Sequence, residues 1–266
     1  MNAFPVRVGI IQSCYVPWRG FFDFIADVDL FVLFDDVQYP TGRSWRNRNR
    51  LKTGNGLRWV TVPVPSGAGR LPIDHVPIAR SPKPWQNEHR ATMERAFATA
   101  RYRTEALAIW EESISFGDTH LSQLNERLIR RICAYLDINT PIVQARSFAA
   151  RGTKTDRLID LLKKIGANTY LSGPSASGYI DANEFLRAGI GLEFKAYNYS
   201  TYPQQWGNFE NDVSVLDLIA NCGPESKQFV RSRSPNQTIV TAIRAQQRPE
   251  SPLQVINTSA ECSGRA

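Results

Sequence analysis

Long apolar runs are missing from this chain of 266 residues; Leu30 to Phe34 is typical of those present. A helix that crosses a bilayer needs about 18–20 consecutive apolar residues, so no membrane partner is expected. Met1 to Gln12 carries a single arginine and an apolar stretch broken at Gly9, with no small-residue cleavage pattern. That argues against a secretory leader and for a cytoplasmic protein. The four cysteines, Cys14, Cys133, Cys222 and Cys262, stand far apart without a Cys-x-x-Cys pair, which speaks against a zinc site or a disulfide framework. Histidine is scarce: His75, His89 and His120 lack metal-ligand spacing and form no legible hydrolase triad. Neither G-x-G-x-x-G nor G-x-x-x-x-G-K-[ST] occurs, so the dinucleotide and P-loop fingerprints are absent.

Acid is missing from one place in particular. Between Val37 and Ile73 there is no Asp or Glu, while Arg43, Arg46, Arg48, Arg50, Lys52, Arg58 and Arg70 contribute seven positive charges, equal to the net +7 of the whole chain. The remainder is neutral. A local excess of this kind implies an anionic partner for that segment. With 42% apolar and 11% aromatic residues the chain can bury a proper core, and its length fits one sizeable domain.

Val6, Val8, Ile10 and Ile11 read as a first strand; Phe21, Phe22, Phe24 and Ile25 recur at helical spacing; Leu30 to Phe34 is a strand apolar on both faces, stopped by Asp35-Asp36. Such a strand belongs inside a parallel sheet covered by helices. Trp59 to Val64 alternates and meets Pro63, as an edge strand or strand end would. Pro84 to Asp137 is helical, with Leu121, Leu124, Leu128, Ile132 and Leu136 as one stripe and Asp118 or Thr119 as N-cap. A strand within 141–148, a helix opened near Thr153 and closed by Gly166, a strand at Tyr170, a helix from Glu184, a strand from Leu192 and a last helix from Val213 to Cys222 follow. The expected fold is an α/β three-layer sandwich with a mostly parallel, Rossmann-like sheet over residues 1–223, a helical insertion at about 84–137, and a tail over 224–266 that is flexible apart from a short ordered piece at Gln237 to Ile243.

In such sheets ligands lie beyond the carboxyl ends of the strands. After the first strand stand Gln12 and Tyr15 as hydrogen-bonding groups, Trp18 as a stacking face and Gly20 where close approach is possible. Asp35 or Asp36 is expected to hold Mg²⁺ or a ribose, or to act as base. In Trp45-Arg46-Asn47-Arg48-Asn49-Arg50, period two places three guanidinium forks on one face, suited to polyphosphate or to a nucleic-acid backbone with Trp45 as platform. Lys154, near the start of the helix that opens near Thr153, is a weaker candidate phosphate ligand. The small-residue loop Ser172-Gly173 to Tyr179 would wrap a ligand closely, and the loop carrying Tyr199, Tyr202 and Gln204 would close over it.

Gln12-x-x-Tyr15-x-Pro17-Trp18-x-Gly20-Phe21-Phe22, Asp35-Asp36-Val37-Gln38 and Trp45-x-Asn47-Arg48-Asn49, continued by Lys154-Thr155-Asp156, Tyr170-x-Ser172-Gly173, Tyr179 and Tyr202, resemble the WbqC-like family over about residues 7–223. Ser13 stands where members often have proline. The resemblance implies a role in surface-polysaccharide or specialised-metabolite biosynthesis. It also implies formation of an amide bond between an activated carboxylate, acyl or aminoacyl, and an amine such as an amino sugar. ATP with Mg²⁺ is the expected activator, and a nucleotide or sugar nucleotide the expected anionic ligand. Arg46, Arg48 and Lys154 would hold phosphates, Asp35 or Asp36 the metal or amine, and Gln12, Tyr15, Trp18 and Ser172 would shape the pocket. Asp35, Asp36 and Arg48 are the expected catalytic residues. The first strand–helix–strand unit also looks like the start of nucleotidyltransferase-type domains, without their paired histidines. Two alternatives stay open: a tRNA-binding protein or aminoacyl-tRNA-dependent transferase, and a non-catalytic biosynthetic scaffold.

Overall fold

The computed structural model describes residues 6–80 and 84–242. The chain opens with strand β1 (Arg7–Ile11), helix α1 (Arg19–Ala26) and strand β2 (Leu30–Leu33), and β1 and β2 pair in parallel from Val8↔Leu30 to Ile11↔Leu33. A hairpin of β3 (Arg48–Thr53) and β4 (Gly56–Thr61) follows, then helices α2 (Trp85–Ala96), α3 (Arg103–Ile114) and α4 (Leu121–Tyr135). The sheet resumes with β5 (Ile142–Gln144), α5 (Lys154–Ile165), β6 (Thr169–Ser172), α6 (Ala182–Ala188) and β7 (Gly191–Phe194), and α7 (Val215–Cys222), α8 (Ser226–Val230) and β8 (Gln237–Val240) end the chain as described. The result is an α/β fold on a six-stranded mixed sheet in the order β5-β2-β1-β6-β7-β8, parallel throughout except for β8, which runs antiparallel to β7.

Strand alternation sends side chains to two cores. Phe31, Leu33 and Leu171 join α1, α3, α4 and α7 on one side, whereas Val8, Ile10, Val32, Tyr170 and Leu192 join α5 and α6 on the other. Gly9 lets α1 lie close: a Cβ there would stand 2.5 Å from the Phe24 ring. No helix among the described residues is long and apolar enough to cross a membrane.

Three local expectations change. The N-cap of α4 is His120 without a side-chain cap, because Asp118 instead holds Arg127 through two hydrogen bonds of 2.9 Å. The strand expected from Trp59 ends at Thr61 and pairs only with β3, so it lies outside the main sheet. Beyond residue 223, β8 falls on the short ordered piece expected at Gln237 to Ile243, whereas α8 is a helix in a stretch expected to be flexible. An ion cluster explains this: Lys195, 3% exposed, reaches Asp23 and Asp27 at 2.8 Å each, and Arg231 and Asn236 from the last segment meet Asp27 at 2.9 and 2.8 Å. Residues 243–266, with most of the expected tail, and Cys262 lie outside the described residues.

Candidate functional site

The chain leaves β1 in one direction toward β2 and β5 and later returns to β6 on its other side, so the topology switches between β1 and β6. The crevice beyond the carboxyl ends at such a switch is where ligands bind in open α/β sheets. Gln12 follows β1 there, Asp35 and Asp36 follow β2, Arg146 follows β5, and Ser172 and Gly173 close β6.

Successive residues of an extended chain face opposite ways, and the two aspartates divide accordingly. Asp35 is fully buried; one oxygen accepts the Ser13 backbone N–H at 2.8 Å and the other the Ser122 hydroxyl at 2.5 Å. Burial pushes its carboxyl up, against the opposing pull of Ser122, Ser13 and Arg46. With a hydrogen bond to each oxygen, Asp35 ties the β1 exit to α4. Asp36 turns to α5, where Arg157 holds Oδ2 at 2.6 Å, and Oδ1 is left without a hydrogen-bond partner.

Arg46 reaches the same rim. Its guanidinium donates to the Gln12 carbonyl at 2.9 Å and to Gln12 Oε1 at 3.2 Å. Asn125, buried on α4, donates to Ser13 Oγ at 3.1 Å and to the Arg46 carbonyl at 2.8 Å. Nε of Arg46, Nε of Arg157 and Oδ1 of Asn125 are also buried without partners among the described residues, an uncommon concentration of unmet polar capacity. Beside them the Asp74 N–H donates to the Asp35 carbonyl at 3.0 Å. The Asp74 carboxylate holds His75 Nδ1 at 2.7 Å and pairs with Arg146 through its other oxygen. The exposed imidazole is thus oriented by a carboxylate, the arrangement that suits a general base.

Other expected site residues lie elsewhere. Because β3 starts at Arg48, the three arginines do not share a face. Arg46 goes to the rim, whereas Arg48 lies 3.4 Å over the Trp59 ring on the outer face of the hairpin and Arg50 binds the Asp212 carbonyl. Asn47 and Asn49 point inward, to the Val62 carbonyl at 2.9 Å and the Val16 carbonyl at 2.9 Å. That second bond secures a turn in which β-branched Val16 has a φ of 35°. Tyr15 is fully buried and linked to His89 and Trp110. Trp18 packs edge-on against Tyr197 and Tyr199, and its ring fills the space a Cβ on Gly20 would take, 2.3 Å away. Tyr202 donates to buried Asp217 at 2.7 Å, which holds its loop in the core. Gln38 is exposed and binds the Gly69 carbonyl at 2.7 Å. Lys154 starts α5, the helix of Arg157, and is exposed. Ser172 is buried at the rim; Gly173 faces open space, and Tyr179 is exposed beyond it.

Of Gln12, Asp35, Arg48 and Ser172, three meet at one rim and Arg48 does not. Arg157, Arg146, Asp74, Ser122 and Asn125 are rim residues that the sequence reading passed over, and His75 one that it set aside for want of metal-ligand spacing. Ser122 and Asn125 had a signal, since both interrupt the apolar stripe of Leu121, Leu124 and Leu128. Among the described residues no group of three or more His, Cys, Asp or Glu side chains is disposed to hold a metal ion. Mg²⁺ commonly takes only one or two carboxylates and completes its shell with water and substrate phosphates, and Asp36 Oδ1 is the rim oxygen that meets that description.

Comparison with known proteins bears on the same residues. An uncharacterised protein of Mycobacterium tuberculosis (strain ATCC 25618 / H37Rv), Rv1507c, is 41% identical over 228 residues, covering 85% of this chain and 97% of its own length. No solved structure gives a significant match. The profile of the WbqC-like protein family matches residues 12–229, from the Gln12 rim to α8. The chain belongs to the WbqC-like protein family.

Proposed function

We propose that the rim is the active site of a biosynthetic enzyme that joins an activated carboxylate to an amine, such as that of an amino sugar. ATP is the activator in this reading, and the architecture is read as a three-layer, nucleotidyltransferase-like sandwich. One observation carries the proposal: Arg46, which binds Gln12 after β1, Asp36 after β2 with its partner Arg157, and the Asp74–His75 pair all stand at the carboxyl ends of the strands beside the switch point, and buried polar atoms of Arg46, Arg157 and Asp36 lack partners among the described residues. Guanidinium groups fixed in a partly desolvated crevice stabilise the charge that develops on phosphate oxygens. Arg46 and Arg157 take that role, with Lys154 at the mouth. Asp36 would hold Mg²⁺, which when bound supplies charge neutralisation to the phosphates. His75, oriented by Asp74, accepts the proton that the attacking amine loses as the C–N bond forms, and the phosphate leaving group departs with the electron pair of its C–O bond. Gln12, Ser172 and Gly173 line the crevice.

The test is ATP–pyrophosphate exchange with a panel of amino and hydroxy acids, preceded by thermal-shift screening of ATP with Mg²⁺ and sugar nucleotides. A ligand that binds only the native state raises the melting temperature. The expected result is stabilisation by ATP and exchange with one acid class, both lost in Arg157→Ala. A protein that neither binds nucleotide nor supports exchange overturns the reading.

A further inference from the structure

Outside the rim, exposed aromatic and cationic side chains gather on the outer face of the β3–β4 hairpin. Trp45 and Trp59 are 44% and 45% exposed, their ring centroids 5.3 Å apart. Arg48 lies 3.4 Å over Trp59, and Arg50 stands 5.6 Å from Trp45 and 5.7 Å from Trp59. Through Trp59 this face runs into a cleft of about 600 Å³ lined by Arg58, Arg95 and Trp206 with Thr53 and Thr92, and by no carboxylate. Among the described residues Arg43, Arg48, Arg58 and Arg95 make no ion pair; Arg50 leans on exposed Asp212 at 3.5 Å. Nε of Arg48 is buried without a partner, and burial together with repulsion from Arg43 lowers its proton affinity.

Packing does not account for this surface. Asn49, Leu51 and Val60 supply the buried side of the hairpin, so the outer indoles and guanidiniums are not needed to hold it. Two half-exposed indoles offer faces to flat rings, and unpaired arginines beside them offer charge to phosphates. A single-stranded polynucleotide presents both at regular spacing, whereas a duplex hides its base faces and an acidic peptide has charge without stacking rings.

We infer that the outer face of β3–β4 and the adjoining cleft bind single-stranded nucleic acid, with Trp45 and Trp59 stacking on bases and Arg43, Arg48, Arg58 and Arg95 on its phosphates. This goes beyond the proposed reaction and does not depend on it.

The test is fluorescence anisotropy with a labelled single-stranded RNA of about twelve nucleotides, run against salt, with duplex RNA, heparin and AMP as competitors. Binding should weaken with a log–log salt slope of about −0.7 per phosphate contacted. Trp45→Ala and Trp59→Ala should each weaken it about tenfold or more, and Arg58→Ala should flatten the slope. Circular dichroism melts check that these exposed positions leave the fold intact. No binding at about 50 mM salt overturns the inference. So does binding that heparin matches and the tryptophan variants leave unchanged, which is a bare polyanion patch, or saturation of the face by AMP alone, which is a mononucleotide pocket.

Discussion

Asp35 and Asp36 are neighbours in the chain and face opposite sides of the sheet. Asp35 receives Ser13 and Ser122 from the α4 side, at 2.8 and 2.5 Å, while Asp36 holds Arg157 of α5 at 2.6 Å. The pair at the end of β2 is therefore one structural and one rim carboxylate, and the two separate by experiment. Asp35→Ala strands two buried donors, each costing about 1–3 kcal/mol, and the urea midpoint should fall markedly. Asp36→Asn keeps an acceptor for Arg157, so its midpoint should stay close to wild type. On the proposed function its nucleotide response should be lost. Equal stability of the two variants would contradict the division.

The elements that periodicity governs were legible. The apolar strands β1 and β2, the α4 stripe and the Gly166 stop of α5, with its φ of 81°, follow from local chemistry. The rim was half legible. A polar residue ending an apolar strand, as Gln12 and Asp36 do, marks a strand end facing solvent or ligand. Tyr15, Trp18 and Tyr202 were misleading because their partners, His89 and Trp110, Tyr197 and Asp217, come from remote stretches of chain. The pairing of Asp74 and His75 with Arg146 arises only in the folded chain, and no spacing announces it. The arginine run failed for a local reason: the strand starts two residues later than its alternation suggests, so Arg46 is free to turn to the rim.

The strand β8 and the ion cluster beneath it tie the segment after Gly223 to the sheet. A chain ending at Gly223 would lack β8, Arg231 and Asn236, and so most of what meets Asp27 apart from Lys195. That truncation should abolish a cooperative melt or lower its midpoint severely. Lys195→Met tests the same cluster in the full chain. Breaking a buried pair by removing one partner costs about 3–5 kcal/mol, measurable by urea denaturation, and a loss below about 1 kcal/mol would place the cluster with weak surface pairs.

Close approach of α1 to the sheet gives a further test. Gly9→Ala adds a methyl group 2.5 Å from the Phe24 ring, with Val28 also within 3.2 Å. Overpacking of this kind costs about 1–3 kcal/mol. Pairing it with Phe24→Leu, which shortens the opposing side chain, should recover part of the loss. Thermal melts of the single and double variants measure the coupling.

Stability should depend on pH through the buried ring of His89. Trp110 donates its indole N–H to Tyr15 Oη at 2.7 Å, so the Tyr15 hydroxyl is free to donate to His89 Nδ1 at 2.9 Å. With the Thr61 backbone as its other partner, His89 is held neutral, and burial lowers its proton affinity from 6.5 to about 4. As pH falls below 6.5 the unfolded chain takes up this proton, whereas the native chain does so only near 4. The native state therefore keeps this contribution in full above the unfolded value and loses it progressively across that interval. At about 1.4 kcal/mol per pKa unit the loss approaches about 3 kcal/mol by the lower limit. Buried Asp35 and Asp217, whose carboxyls are pushed up, act in the opposite sense, so the ring is isolated by comparison with His89→Gln. Urea midpoints of wild type and variant should converge as pH drops from 7 toward 4. Parallel curves would mean that His89 takes up its proton at the same pH in both states.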